Sequence, residues 1–159
     1  MFKRIFVPLD GSPLAEKALF YATGLARQND APIYLGWVIQ MLPSGAGPDP
    51  YLLPIDISTD AEKKRAADYL SRISAELEQK NIQCSYQVSE SFSISAGIIK
   101  MASLVKADVI IKTSYGRLGI NRWFNGNVAA EILQHAPCPL LLIKISDSDR
   151  VGEDERGGA

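Results

Sequence analysis

Apolar, strand-like runs alternate with helix-patterned segments along the whole of this chain, and that alternation limits its fold more than any other feature. The runs cover residues 4–9, 32–39, 82–88, 108–113 and 139–145. Between the first two, Ser12 suits an N-cap and Pro13 the first helical position. Ala15, Ala18, Leu19, Ala22, Leu25 and Ala26 then form one stripe at helical spacing. A second helix is expected to open on the capping-box pattern Thr59-Asp60-Ala61-Glu62 and to run to about Lys80, with Ala66, Leu70, Ile73 and Leu77 inward. A third spans about residues 94–106, with Ile94, Ile98, Met101, Ala102 and Val105 on one face. A short fourth covers 129–135. In the run 82–88, Ile82, Cys84, Tyr86 and Val88 alternate with polar residues, as in a half-exposed strand. Strand–helix alternation throughout predicts a single open five-stranded parallel sheet with helices on both faces. The residues alone leave the strand order open.

The 159 residues fit one domain with a core of useful size, and an apolar fraction of 47% is ordinary for a globular protein. Seventeen basic residues against 18 acidic ones give a formal net charge of −1, which gives no support to a nucleic-acid partner. No apolar run approaches the ~20 residues that span a bilayer, so no membrane insertion is expected. Met1-Phe2-Lys3-Arg4 leads at once into a strand-like run, without the pattern of a secretory signal. Cys84 and Cys138 have no metal-ligand spacing and suit packed thiols of a cytoplasmic protein. Residues 40–58 carry four prolines and two glycines. They are expected to form a flap rather than a packed element. Residues 146–159 are polar and are expected to form a disordered tail.

One stretch points to a ligand. Residues 113–128 read TSYGRLGINRWFNGNV and join the fourth strand-like run to the last helix. Strand, glycine-bearing loop and helix start aim several backbone N–H groups at one spot, where the helix dipole favours a phosphate. Gly116 and Gly126 let backbone approach a ligand closely, while Arg117 and Arg122 carry charge within phosphate reach. A glycine-spaced loop alone is a weak motif, and one that merely caps a helix looks the same. There is no GxxxxGK[ST] loop and no GxGxxG. His135, the single histidine, falls in the last turn of a helix with no nucleophile marked beside it.

These residues resemble the universal stress protein family. In its ATP-binding members the loop reads Gly, two residues, Gly, nine residues, Gly, then Ser or Thr. Gly116 and Gly126 keep the nine-residue spacing, while Thr113 and Asn127 stand at the outer Gly and hydroxyl positions. Val7-Pro8-Leu9-Asp10-Gly11-Ser12 and the closing APCPLLLIK also look like the family. The likeness covers about residues 2–145. It implies one domain over 1–145, a strand order of 3-2-1-4-5 and the adenine nucleotide alpha hydrolase-like fold. In that order Asp10 and Thr113 end neighbouring strands at the switch point, where open α/β sheets bind ligands.

The resemblance implies an adenine-nucleotide site built from Pro8, Leu9, Asp10, Val38, Lys112, Thr113, Gly116, Arg117, Gly126, Asn127 and Val128. Asp10 would contact the nucleoside; the bland reading is a turn residue bonding Gly11 and Ser12. Val38 would give backbone contacts to adenine, and Trp37 reads as a core anchor. Asn127 can donate through its amide and cap the helix. Thr113 adds a Cβ where the pattern leaves room for ribose. Response-regulator receivers share a similar fold but usually place an acidic pair at the strand end, which Asp10 lacks.

The expected ligand is ATP or AMP, alone or with Mg²⁺, and the expected role is regulatory rather than enzymatic, with slow ATP hydrolysis as the limit. A homodimer through the edge strand from Pro139 to Ile145, and a further protein partner, follow from the same likeness. The alternative is a dimeric interaction scaffold that binds no nucleotide. A hydrolase or adenylyl-transferring enzyme on a related fold is the third reading.

Overall fold

The computed structural model describes residues 1–41, 57–114 and 128–145. Nine elements alternate along them: β1 (Ile5–Pro8), α1 (Pro13–Asn29), β2 (Ile33–Gln40), α2 (Ile57–Glu78), β3 (Cys84–Ser91), α3 (Ile94–Leu104), β4 (Val109–Thr113), α4 (Val128–His135) and β5 (Leu140–Ile143). The strands form one parallel sheet in the order β3-β2-β1-β4-β5. The flap expected over 40–58 lies, from 42 to 56, outside the described residues, as does the tail from 146.

Side chains alternate across the sheet, so two cores form. Val7, Ile33, Leu35, Trp37, Ile39, Ile111 and Ile143 meet Ala18 and Ala22 of α1 and Leu70 and Ile73 of α2. On the other face Phe6 and Ile110 meet Ile98 and Met101 of α3 and Ile132 of α4. The small-residue stripe of α1 is buried at Ala15, Ala18, Ala22 and Ala26, and Leu19 and Leu25 pack partly against the same core. In α2, Ala66, Leu70, Ile73 and Leu77 are all buried.

Two boundaries differ from the sequence expectation. α2 begins at Ile57, so Thr59 lies inside the first turn and does not cap it. β3 begins at Cys84 and runs to Ser91, past the expected end at Val88, because it pairs with β2 along its whole length. β2, expected over 32–39, covers Ile33–Gln40. Cys84 and Cys138 are free thiols near opposite edges of the sheet, each with its pKa raised chiefly by burial. Among the described residues no helix is long and apolar enough to cross a membrane.

Candidate functional site at the sheet switch point

β1 is the strand from which the sheet grows both ways, to β2 and β3 on one side and β4 and β5 on the other. The connections leave its neighbours in opposite directions, which opens a crevice at the carboxyl ends of β1 and β4. The last ladder bond from the β1 side is Leu9 N–H to the Gly36 carbonyl, at 2.8 Å. β2 continues beyond it. Residues two apart in a strand turn their backbone groups to the same side. Val38 therefore aims its N–H and C=O past the end of β1, toward the crevice. Its side chain lies on the α3 face, where Gly97 makes room for it: a Cβ on Gly97 would stand 2.7 Å from Val38 Cγ1.

Asp10 follows β1 and is fixed by the turn it helps to make. Its Oδ1 accepts hydrogen bonds from Ser12 N–H at 3.0 Å and from Ser12 Oγ at 2.7 Å. Ser12 Oγ in turn accepts from Ala15 N–H at 3.1 Å, capping α1 as expected. The turn interaction thus exists, made to both donors of Ser12. Between them Gly11 adopts φ +80°, a left-handed conformation that suits glycine. A Cβ there would also stand 2.6 Å from Trp37 Cη2. Trp37 is buried in the α1–α2 core with its ring edge-on to Tyr69, the core anchor its type predicts.

Lys112 is the second charged residue of the crevice. Alternation along β4 puts Ile110 and Lys112 on the α3–α4 face and Ile111 and Thr113 on the other. Asp10 stands beyond the end of β1, tied to Ser12 at the start of α1, and its charge acts on both Tyr69 of α2 and Lys112. Burial lowers the pKa of Lys112 from 10.5 to about 8, against an opposing upward pull from the Asp10 charge. Lys112 Nζ donates to the Thr113 carbonyl at 2.7 Å. Thr113 itself is buried with its side chain on the Ile111 face. Its Cβ consequently does not stand on the side shared by the Val38 and Lys112 side chains.

A polar group missed by the sequence reading closes the α3 end. Ser93 caps α3, accepting from Ala96 N–H, and its hydroxyl meets Ser95 Oγ at 2.8 Å. Ser95, almost fully buried, donates to the carboxylate of Glu131 on α4. Ser91-Phe92-Ser93 before an apolar helical pattern was the available signal for the cap; the bond across to α4 had none.

The structure therefore brings Pro8, Leu9, Asp10, Val38, Lys112, Thr113 and the α4 start at Val128 to one end of the sheet. Val128 packs against the α3–α4 core. Gly116, Arg117, Arg122, Gly126 and Asn127 lie outside the described residues. His135 is exposed in the last turn of α4, its Nδ1 3.0 Å from the Glu131 carbonyl oxygen, away from the crevice. A separate open groove between α1 and α2, of about 690 Å³, is lined by Leu19, Phe20, Ile73 and Leu77 and shares no residue with the crevice.

The model of the universal stress protein family matches residues 1–144. The chain belongs to the universal stress protein family. A universal stress protein of Methanocaldococcus jannaschii is 26% identical over 148 residues, which cover 91% of this chain and 83% of the relative. Among solved structures, the universal stress protein UspA from Lactobacillus plantarum superposes with a TM-score of 0.74 at 23% identity, covering 89% of this chain and 97% of its own. The universal stress protein from Archaeoglobus fulgidus in complex with dAMP gives a TM-score of 0.60 at 23% identity, covering 89% and 98%. At these identities the solved structures establish the fold, which is the universal stress protein fold.

Proposed function

We propose that this universal stress protein binds an adenine nucleotide at the carboxyl ends of β1, β2 and β4 and acts as a regulatory module in the cytoplasm. The observation that carries the reading is that Asp10, the outward backbone of Val38 and Lys112 all lie at the carboxyl ends of the switch-point strands, where the Asp10 charge acts on Lys112. A carboxylate accepts from ribose hydroxyls, strand N–H and C=O groups match the adenine edge, and an ammonium suits a phosphate. Gly116, Arg117, Gly126 and Asn127 complete the set by their place in the family's loop, with Val128 opening the helix behind them. The dAMP complex of the Archaeoglobus fulgidus neighbour supports adenine as the base. ATP and AMP both fit this chemistry, ATP with Mg²⁺ as companion of its polyphosphate. Among the described residues no cluster of acid, His or Cys groups is placed to hold a metal by itself. The proposed role is regulatory binding, with slow ATP hydrolysis as its limit.

The freshly purified protein, denatured in acid and chromatographed, is expected to release adenine nucleotide. Release of none, together with no uptake of added ATP or AMP, would contradict the reading.

A dimeric scaffold is the second reading, and the β5 edge favours a dimer under either. Leu141 and Leu142 are 37% and 44% exposed on a strand paired on one side only, by β4. An apolar edge of this kind invites pairing with its copy across a two-fold axis.

A further inference from the structure

We propose that Lys112 is the specificity element of the crevice, selecting ligands that carry a phosphate over the bare nucleoside. The inference rests on the nucleotide reading above and goes further, assigning one side chain the discrimination between nucleotide and nucleoside.

The placement carries the argument. Lys112 lies next to the last residue of β4, on the face that also holds the Val38 side chain, and the Asp10 charge acts on it from beyond the end of β1. Strand residues at such positions in a parallel sheet are ordinarily apolar, because both faces are covered. Ile110, two residues earlier on the same face, is fully buried. The stem of Lys112 continues this buried row and carries its ammonium to the Thr113 carbonyl at the end of β4. An ammonium has three donors. Among the described residues, one is used on the Thr113 carbonyl. A neutral oxygen compensates a desolvated cation poorly; a phosphate dianion does so well.

Among the described residues the charged groups on the surrounding elements are few. Asp10 follows β1, Glu131 on α4 is engaged by Ser95, and Lys144 is exposed beyond β5. Of these, Asp10 is the one whose charge acts on Lys112. Asp10 shares its carboxylate with both donors of Ser12, so it offsets the burial of Lys112 only in part. The unliganded crevice thus holds a cation whose pKa has fallen to about 8. A phosphate beside it restores the charged form and raises that value again. Binding near pH 8–9 therefore takes up a proton, and affinity for a phosphorylated ligand falls as the amine loses its proton.

The test is titration calorimetry of AMP and of adenosine, at pH 7 and pH 9, on wild type and on Lys112→Met. A monophosphate ester is already a dianion above pH ~7, so the ligand itself does not titrate in this window. For the wild type, AMP affinity is expected to fall about tenfold between the two pH values, with proton uptake seen as a dependence of the heat on buffer ionisation enthalpy. Adenosine affinity should not change with pH. Lys112→Met should bind AMP about tenfold more weakly at pH 7, with no pH dependence and no proton uptake. If the variant does not fold, proton uptake by the wild type decides alone. AMP binding without proton uptake, or with the same pH profile in both proteins, overturns the role of Lys112 and leaves the nucleotide site standing. Failure of both AMP and adenosine to bind the wild type overturns the nucleotide reading and this inference with it.

Discussion

The charge of Asp10, just beyond β1, acts on the Lys112 ammonium near the end of β4, where the two strands part. Burial outweighs that attraction, so the folded protein binds the Lys112 proton less tightly than the unfolded chain does. The folded value, about 8, lies below the ordinary 10.5. Between these values the unfolded state holds more protons, and stability rises with pH across the window. Below pH 8 both states are protonated and the burial cost is fully present. Lys112→Met is expected to stabilise the unliganded protein at pH 7 by on the order of 2 kcal/mol and to remove the gain seen in the wild type between pH 8 and 10. Urea unfolding at the two pH values checks this; a variant less stable at pH 7 would count against the buried ammonium.

Gly11 positions the Asp10 turn on the ring of Trp37. Gly11→Ala meets two penalties, a left-handed φ of +80° and a Cβ 2.6 Å from the indole. Neither can relax without moving the turn or the core. A loss of about 1–3 kcal/mol is expected in equilibrium unfolding, with a change in Trp fluorescence of the folded state. An unchanged midpoint would show that the turn does not rest on Trp37.

Ser95 joins α3 to α4 through Glu131. Ser95→Ala removes this bond from the exposed Glu131 carboxylate and should cost about 0.5–1.5 kcal/mol. The variant's hydrogen-exchange protection should fall in α4 more than in α1. Equal protection in α4 with and without Ser95 would remove the bond from the account.

Much of this was legible in the chain. The inward stripes of α1 and α2 follow from helical period, and Ser12 from its place before Pro13. Strand order was not, because a run such as residues 109–111 is apolar on both faces and does not name its neighbours. The polar end of β3, Gln87 to Ser91, looks unlike a strand; pairing with β2 decides it. That missed pairing also hid the outward backbone of Val38. Lys112 was placed in the site by family likeness, yet the Asp10 charge that acts on it lies far away in sequence. The Ser95–Glu131 bond joins two helices that no local pattern connects.

The β5 edge predicts a dimer. Leu141→Lys puts a charge into an apolar strand pairing surface, or opposite its own copy, and should shift the protein toward monomer. Sedimentation velocity at micromolar concentration checks both proteins. A monomeric wild type would end the idea.

The central claim is that an adenine nucleotide occupies the switch point and that its phosphates lie against the loop ending at Gly126. Titration calorimetry of ATP and AMP into wild type and Gly126→Val tests it most directly. Saturable one-site binding by the wild type, lost in a variant that keeps its thermal stability, is the predicted result. No binding by the wild type, or equal affinity in the variant, would contradict it.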